Sequence, residues 1–138
     1  MVEHFVVDNS VVMSWSFKDE TNEYADTILD RLTGATAFVP SIWPLEVVNI
    51  LIVAERQKRL SESDSIRCMT LLSQLPIVVK YERPEMMKEL LALARAYNLS
   101  SYDASYLYLA MRKGLPVATL DNKLIEAAGR MGVPVLEA

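Results

Sequence analysis

The segment Asn98-Leu99-Ser100-Ser101-Tyr102-Asp103-Ala104-Ser105-Tyr106-Leu107-Tyr108-Leu109-Ala110 organises the whole chain. It predicts a helix start, with Asn98 ending one helix and Ser100 capping the next. Leu107, Ala110 and Met111 follow Asp103 at helical spacing, so Asp103 heads the apolar stripe. A carboxylate directed toward a core needs a compensating partner. Ser100-x-x-Asp103 also has the form of a capping box, in which each residue's side chain satisfies the other's backbone N–H. The box explains the pair if it stands alone. Chemistry enters when other acids reach the same place.

Outward from this helix, short apolar runs alternate with helical patterns. Phe5-Val6-Val7, Ala37-Phe38-Val39, Ile77-Val78-Val79 and Pro116-Val117-Ala118-Thr119 read as strands, with a last one from Val133 to Leu136. They are continuous rather than alternating, as expected for strands covered on both faces. Between them fall a short helical turn from Val11 to Trp15 and a helix capped by Asp19 or Thr21 and ending near Leu32. A long helix follows, capped by Ser41, with Pro44 in its first turn, running to about Leu60. Ser61-x-x-Asp64, a second capping box, opens a helix to about Leu75. Others run from Pro84 to near Asn98, from Ser100 to Gly114, and from Asp121 to about Met131. This alternation predicts an α/β fold with a mostly parallel central sheet of four to five short strands between helices. At 138 residues, without a linker or repeat, the chain reads as one domain over 1–138.

The formal net charge of −4 has the wrong sign for binding nucleic acid by bulk charge, so a polyanion would need local basic residues or bound cations. The single cysteine, Cys68, excludes an internal disulfide, reads as a core residue, and fits a reduced, cytoplasmic setting. The longest apolar stretch, Val47 to Ala54, is too short to span a bilayer, and no basic segment followed by a long apolar run opens the chain.

In an open parallel sheet, ligands bind beyond the carboxyl ends of the strands. Asp8 follows the first strand and Asp121 the fourth. Glu46 and Asp103 lie in the first turns of helices. All four can therefore face one edge. Asp8 and Asp121 can also serve simply as N-caps, and Glu46 can complement a helix dipole. Glu46, however, sits among Ile42, Trp43, Leu45, Val47, Val48, Ile50 and Leu51, a pattern that predicts a helix buried on all sides. Carboxylates sharing one site repel and need a compensating charge. A hard divalent cation such as Mg²⁺ supplies it and activates water for phosphoryl displacement. Other catalytic sets are missing. His4 is the single histidine and reads as structural, there is no CxxC, no G-x-S-x-G and no phosphate-binding Walker loop.

The segments Val6-Val7-Asp8-Asn9-Ser10, Pro40-Ser41-Ile42-Trp43-Pro44-Leu45-Glu46-Val47-Val48-Asn49, Leu99-Ser100-Ser101-Tyr102-Asp103-Ala104-Ser105-Tyr106 and Val117-Ala118-Thr119-Leu120-Asp121-Asn122-Lys123-Leu124 together resemble a PIN-domain ribonuclease. More narrowly, they resemble the VapC-type toxins of toxin–antitoxin pairs. The resemblance covers nearly the whole chain. It implies a three-layer α/β/α fold and an Mg²⁺- or Mn²⁺-dependent endoribonuclease. It also implies a homodimer, and a cognate antitoxin that blocks the site. By position, Asp8, Glu46 and Asp103 would form the acidic core and Asp121 the fourth acid. Ser10 and Thr119 would hydrogen-bond the acids or the water.

Two other classes fit parts of the chain. One is a PIN-fold module that binds protein or RNA without turnover. The other is a phosphoacceptor signalling domain, which would want paired acids after the first strand, whereas Asp8 is followed by Asn9. The tyrosines Tyr102, Tyr106 and Tyr108 can stack bases, with Tyr106 reading more readily as core or dimer seam. The helices Ile42–Ala54 and Ser65–Leu75 can form a groove for a partner peptide or lie in the interior.

Overall fold

The computed structural model of the protein describes residues 3–137. Four short parallel strands form its centre: β1 (Glu3–Val7), β2 (Ala35–Pro40), β3 (Ile77–Lys80) and β4 (Val117–Ala118). Their order is β3-β2-β1-β4. The chain builds outward from β1 to β2 and β3, then returns through β4 on the other side of β1. The order thus reverses between β1 and β4, and the crevice of a doubly wound sheet opens at the carboxyl ends of that pair.

Side chains alternate across β1. Phe5 and Val7 join one apolar cluster with Val11, Val12, Ile28, Leu51 and Leu72, while Val6 joins the other with Leu107, Leu124 and Ala128. The first face is covered by α1 (Asn9–Ser16), α2 (Glu23–Arg31), α3 (Trp43–Arg56) and α4 (Glu62–Gln74). The second is covered by α5 (Met87–Ala96), α6 (Ser101–Lys113) and α7 (Asn122–Met131). The result is the three-layer α/β/α arrangement expected. No helix among the described residues is long and apolar enough to cross a membrane.

Several local expectations need correction. The last strand is reduced to one parallel bridge, Val117 to Val135, because Val117 is the one residue of β4 that still has free backbone groups on that side. Asn22, not Asp19 or Thr21, caps α2 by accepting from the Ala25 N–H at 3.0 Å, and Lys18–Glu20 forms a separate 3₁₀ turn. Ser41 does not cap α3. Its hydroxyl donates to Glu82 beyond β3, and α3 begins after Ile42 without a side-chain cap. That helix stops at Arg56, four residues short of Leu60, where Lys58 takes a left-handed φ of 61°. Nor is it buried all round. Leu45 and Val48 are 68% and 55% exposed, so its outer face is apolar but uncovered within the chain.

Candidate active site at the carboxyl edge

Asp8 follows β1 and caps α1, so the N-cap reading holds and does not take the residue away from the edge. It is only 4% exposed. Its Oδ1 accepts from the Ser10 backbone N–H at 3.1 Å and the Ser10 hydroxyl at 2.5 Å, and its Oδ2 accepts from the Thr119 hydroxyl at 2.6 Å. Each hydroxyl spends its one proton on Asp8 and turns its lone pairs to the loop after β4. Ser10 Oγ accepts from the Leu120 N–H at 2.8 Å, and Thr119 Oγ1 from the Asp121 N–H at 3.0 Å. The two hydroxyls therefore tie Asp8 to the start of α7. Burial outweighs these bonds and, with Asp121 nearby, raises the Asp8 carboxyl from 3.8 to about 6.

Glu46 lies in the first turn of α3 and is half-buried. Its Oε1 accepts a 2.6 Å hydrogen bond from the Tyr106 hydroxyl and a 3.3 Å bond from Asn9 Nδ2. Asn9 Nδ2 also lies 3.4 Å from the Tyr106 oxygen. Tyr106 has already given its proton to Glu46, so the carboxamide must present N–H to both oxygens. Asn9 Oδ1 is thereby left buried with no partner among the described residues. Burial raises the Glu46 carboxyl, and Asp103 adds to the rise. Burial and the Glu46 hydrogen bond push the Tyr106 phenol far upward, so it stays a neutral donor. Sequence reading places neither Asn9 nor Tyr106 against Glu46: it does not single out Asn9, and it reads Tyr106 as a base-stacking, core or dimer-seam residue. A tyrosine one turn after an acid on a buried helix face was the available signal, because its hydroxyl has to find a partner there.

Asp103 stands in the first turn of α6 and is half-buried. Ser100 Oγ accepts from its backbone N–H at 3.1 Å, but the reciprocal bond, in which the Ser100 N–H would donate to the carboxylate, is not made. Burial raises the Asp103 carboxyl, Asp121 raises it further, and Lys123 draws it down. Asp121 caps α7 through the Lys123 N–H at 2.9 Å. The sequence-predicted acids thus come from four separate elements to one edge. Their charges act on one another in pairs: Asp8 with Asp121, Asp121 with Asp103, and Asp103 with Glu46. None of the four forms an ion pair within 4.0 Å among the described residues. Nor do any three described carboxylates, as they stand, form a group that could hold a metal ion. The donor set is all oxygen and unneutralised, which suits a hard divalent cation rather than zinc. Asn9 Oδ1 adds a neutral oxygen without a partner beside it.

A parallel α/β domain with an acidic crevice at its strand-order reversal is a familiar setting for phosphoryl chemistry. The chain belongs to the PIN domain family, whose model matches residues 5–130. Three solved structures share its fold. PAE2754 from Pyrobaculum aerophilum aligns with a TM-score of 0.70 at 24% identity, over 92% of this chain and 87% of that one. A toxin–antitoxin complex from Klebsiella pneumoniae aligns at 0.65 and 19% identity, over 94% of each chain. FitAcB from Neisseria gonorrhoeae aligns at 0.63 and 18% identity, over 96% of each. No curated protein matches the chain by sequence.

Proposed function

We propose that the protein is a divalent-metal-dependent endoribonuclease and the toxin of a toxin–antitoxin pair. The observation that carries the reading is the meeting of Asp8, Glu46, Asp103 and Asp121 at the carboxyl edge, where burial and neighbouring acids raise Asp8, Glu46 and Asp103 and none of the four forms an ion pair within 4.0 Å among the described residues. PIN family membership supports nuclease chemistry, and the Klebsiella neighbour supports an antitoxin partner. Asp8, Glu46 and Asp103 would hold Mg²⁺ or Mn²⁺, with Asp121 the fourth acid. When bound, the ion supplies charge neutralisation at the phosphate and a more acidic water for in-line attack.

The remaining work falls to the chain. Ser10 and Thr119 fix both oxygens of Asp8 against the loop that carries Asp121. Tyr106 and Asn9 fix one oxygen of Glu46 and leave the other unclaimed by them. A homodimer would place two such edges on one particle. The test is cleavage of RNA by purified protein with Mn²⁺, with EDTA, and as Asp103→Asn. Cleavage that needs Mn²⁺ and disappears in the variant supports the proposal, and undiminished cleavage by Asp103→Asn overturns the site.

One observation favours a second reading, that of a PIN-fold binding module without turnover. No three described carboxylates converge as they stand. Calorimetry separates the two: Mn²⁺ binding that Asp8→Asn removes supports the nuclease, and no Mn²⁺ binding supports the module.

A further inference from the structure

Four of the chain's 14 Lys and Arg residues, Lys80, Arg83, Arg112 and Lys113, line one small depression where the end of β3 meets α6. None of the four has a carboxylate within 4.0 Å among the described residues, whereas Arg31, Arg59 and Arg67 are all paired. Rings hold three of these cations instead. Lys80 and Lys113 both stand over Phe38, at 5.1 and 5.7 Å from its centroid, and Arg112 lies 5.7 Å from the Tyr108 centroid. Two ammonium groups thus converge on one ring, in a chain whose net charge is −4. One acid, Glu82, lines the same depression and accepts from the Ser41 hydroxyl, and Glu89 accepts from the Tyr108 hydroxyl at 2.8 Å. Beside Lys80, the Tyr81 ring is 78% exposed.

The patch is placed to serve the acidic edge. Lys80 ends β3, and Asp8 follows β1 on the same edge of the parallel sheet, two strands away, which is about 10 Å at the usual strand spacing. Arg112 lies nine residues after Asp103 on α6, about 13 Å along the helix. We infer that Lys80, Arg83, Arg112 and Lys113 bind the phosphodiester backbone of single-stranded RNA and lead it to the acidic crevice, with Tyr81 as a base-stacking platform. This rests on the nuclease reading for the direction of the strand, but not for binding itself. Such a groove, cations tracking phosphates with an exposed ring beside them, is the common plan for holding single strands without reading sequence. It also answers how a negatively charged protein approaches a polyanion.

The experiment measures binding of a labelled single-stranded RNA in EDTA across a salt series, so that no cleavage intervenes. The variants are Lys80→Gln, Arg83→Gln, Arg112→Gln and Lys113→Gln combined, with Arg56→Gln/Lys58→Gln on the far end of α3 as a control. For single strands each phosphate contact contributes about 0.7 to the slope of log affinity against log salt. The fourfold variant should lose about 2 to 3 from that slope and bind about tenfold or more weakly at low salt. Its thermal stability and the control's binding should match wild type. Tyr81→Ala should weaken binding without altering the slope. An unchanged slope in the fourfold variant overturns the inference. So does intact RNA binding accompanied by lost binding of polyglutamate, which would assign the patch to an acidic protein partner. Wild-type binding through these cations with no cleavage on adding Mn²⁺ would overturn the nuclease reading and leave the RNA surface standing.

Discussion

At the end of β1, Asp8 accepts three hydrogen bonds and is nevertheless raised to about 6, because burial costs its charged form more than Ser10 and Thr119 return. A carboxyl raised on folding binds its proton more tightly in the native state than in the unfolded one. Native stability therefore falls as pH rises from about 3.8 to about 6, by about 3 kcal/mol for Asp8 when it is fully ionised. In EDTA, Asp8→Asn should gain on wild type by up to this amount between pH 4 and pH 7.5, read as the pH dependence of the difference in unfolding free energy. A difference that stays flat across that window would refute the buried, uncompensated charge. Protons and metal compete for the same oxygens, so Mn²⁺ affinity and cleavage should both fall from pH 7.5 to pH 5.5. Tyr106→Phe keeps the ring in the core but removes the donor from Glu46 Oε1. A hydrogen bond to a charged group is worth about 1.5–3 kcal/mol, so Mn²⁺ affinity should drop about tenfold or more with the melting profile nearly unchanged. The acids themselves were legible from their places after strands and in first helical turns. Asn9 and Tyr106 were not, because a tyrosine in an apolar stripe has the same sequence pattern whether its hydroxyl meets water or a carboxylate.

At the scale of elements, the instructive pair is Ser61-x-x-Asp64 and Ser100-x-x-Asp103, the same pattern in sequence and different in space. At α4 the box closes both ways: Ser61 Oγ accepts from the Asp64 N–H at 3.1 Å, and Asp64 Oδ2 accepts from the Ser61 N–H at 3.0 Å. At α6 only the serine half forms, and Asp103 is turned to the site that raises it. The windows differ at their middle positions, Glu62-Ser63 against Ser101-Tyr102, and Asp103 alone is acted on by Asp121 and Lys123, which are distant in sequence. Ser61→Ala and Ser100→Ala should each cost about 1 kcal/mol in chemical denaturation. Only Ser100→Ala should also lower cleavage, since it loosens the turn that carries Asp103. Equal activity losses in the two would mean that the α6 cap acts through global stability alone. The long helix α3 shows the opposite failure. Its composition predicted burial on all sides, but a helix on the outer layer of a single sheet contacts the core along one stripe only. Val47, Leu51 and Ala54 occupy that stripe, and Leu45 and Val48 do not.

For the whole molecule, the β–α alternation made the three layers and the parallel sheet readable, since continuous apolar strands must be covered twice. The strand order was not readable. It is set by which strand β4 pairs with, and that choice places Thr119 and Asp121 beside Asp8. The same choice makes the crevice a place where folding concentrates negative charge, so the fold should respond to cations as a unit. A ligand that binds only the native state stabilises it by RT ln(1 + [L]/Kd), about 2.7 kcal/mol at a hundredfold excess over Kd. Mg²⁺ or Mn²⁺ at that excess should raise the melting temperature by several degrees at pH 7.5 and by much less at pH 5, where Asp8 holds its proton. Asp8→Asn combined with Glu46→Gln should abolish the shift. If the shift instead survives in that double variant, the ion is binding elsewhere on an acidic surface. The destabilising charge at the strand-order reversal would then have no cation to answer it, and neither the metal assignment nor the chemistry built on it would stand.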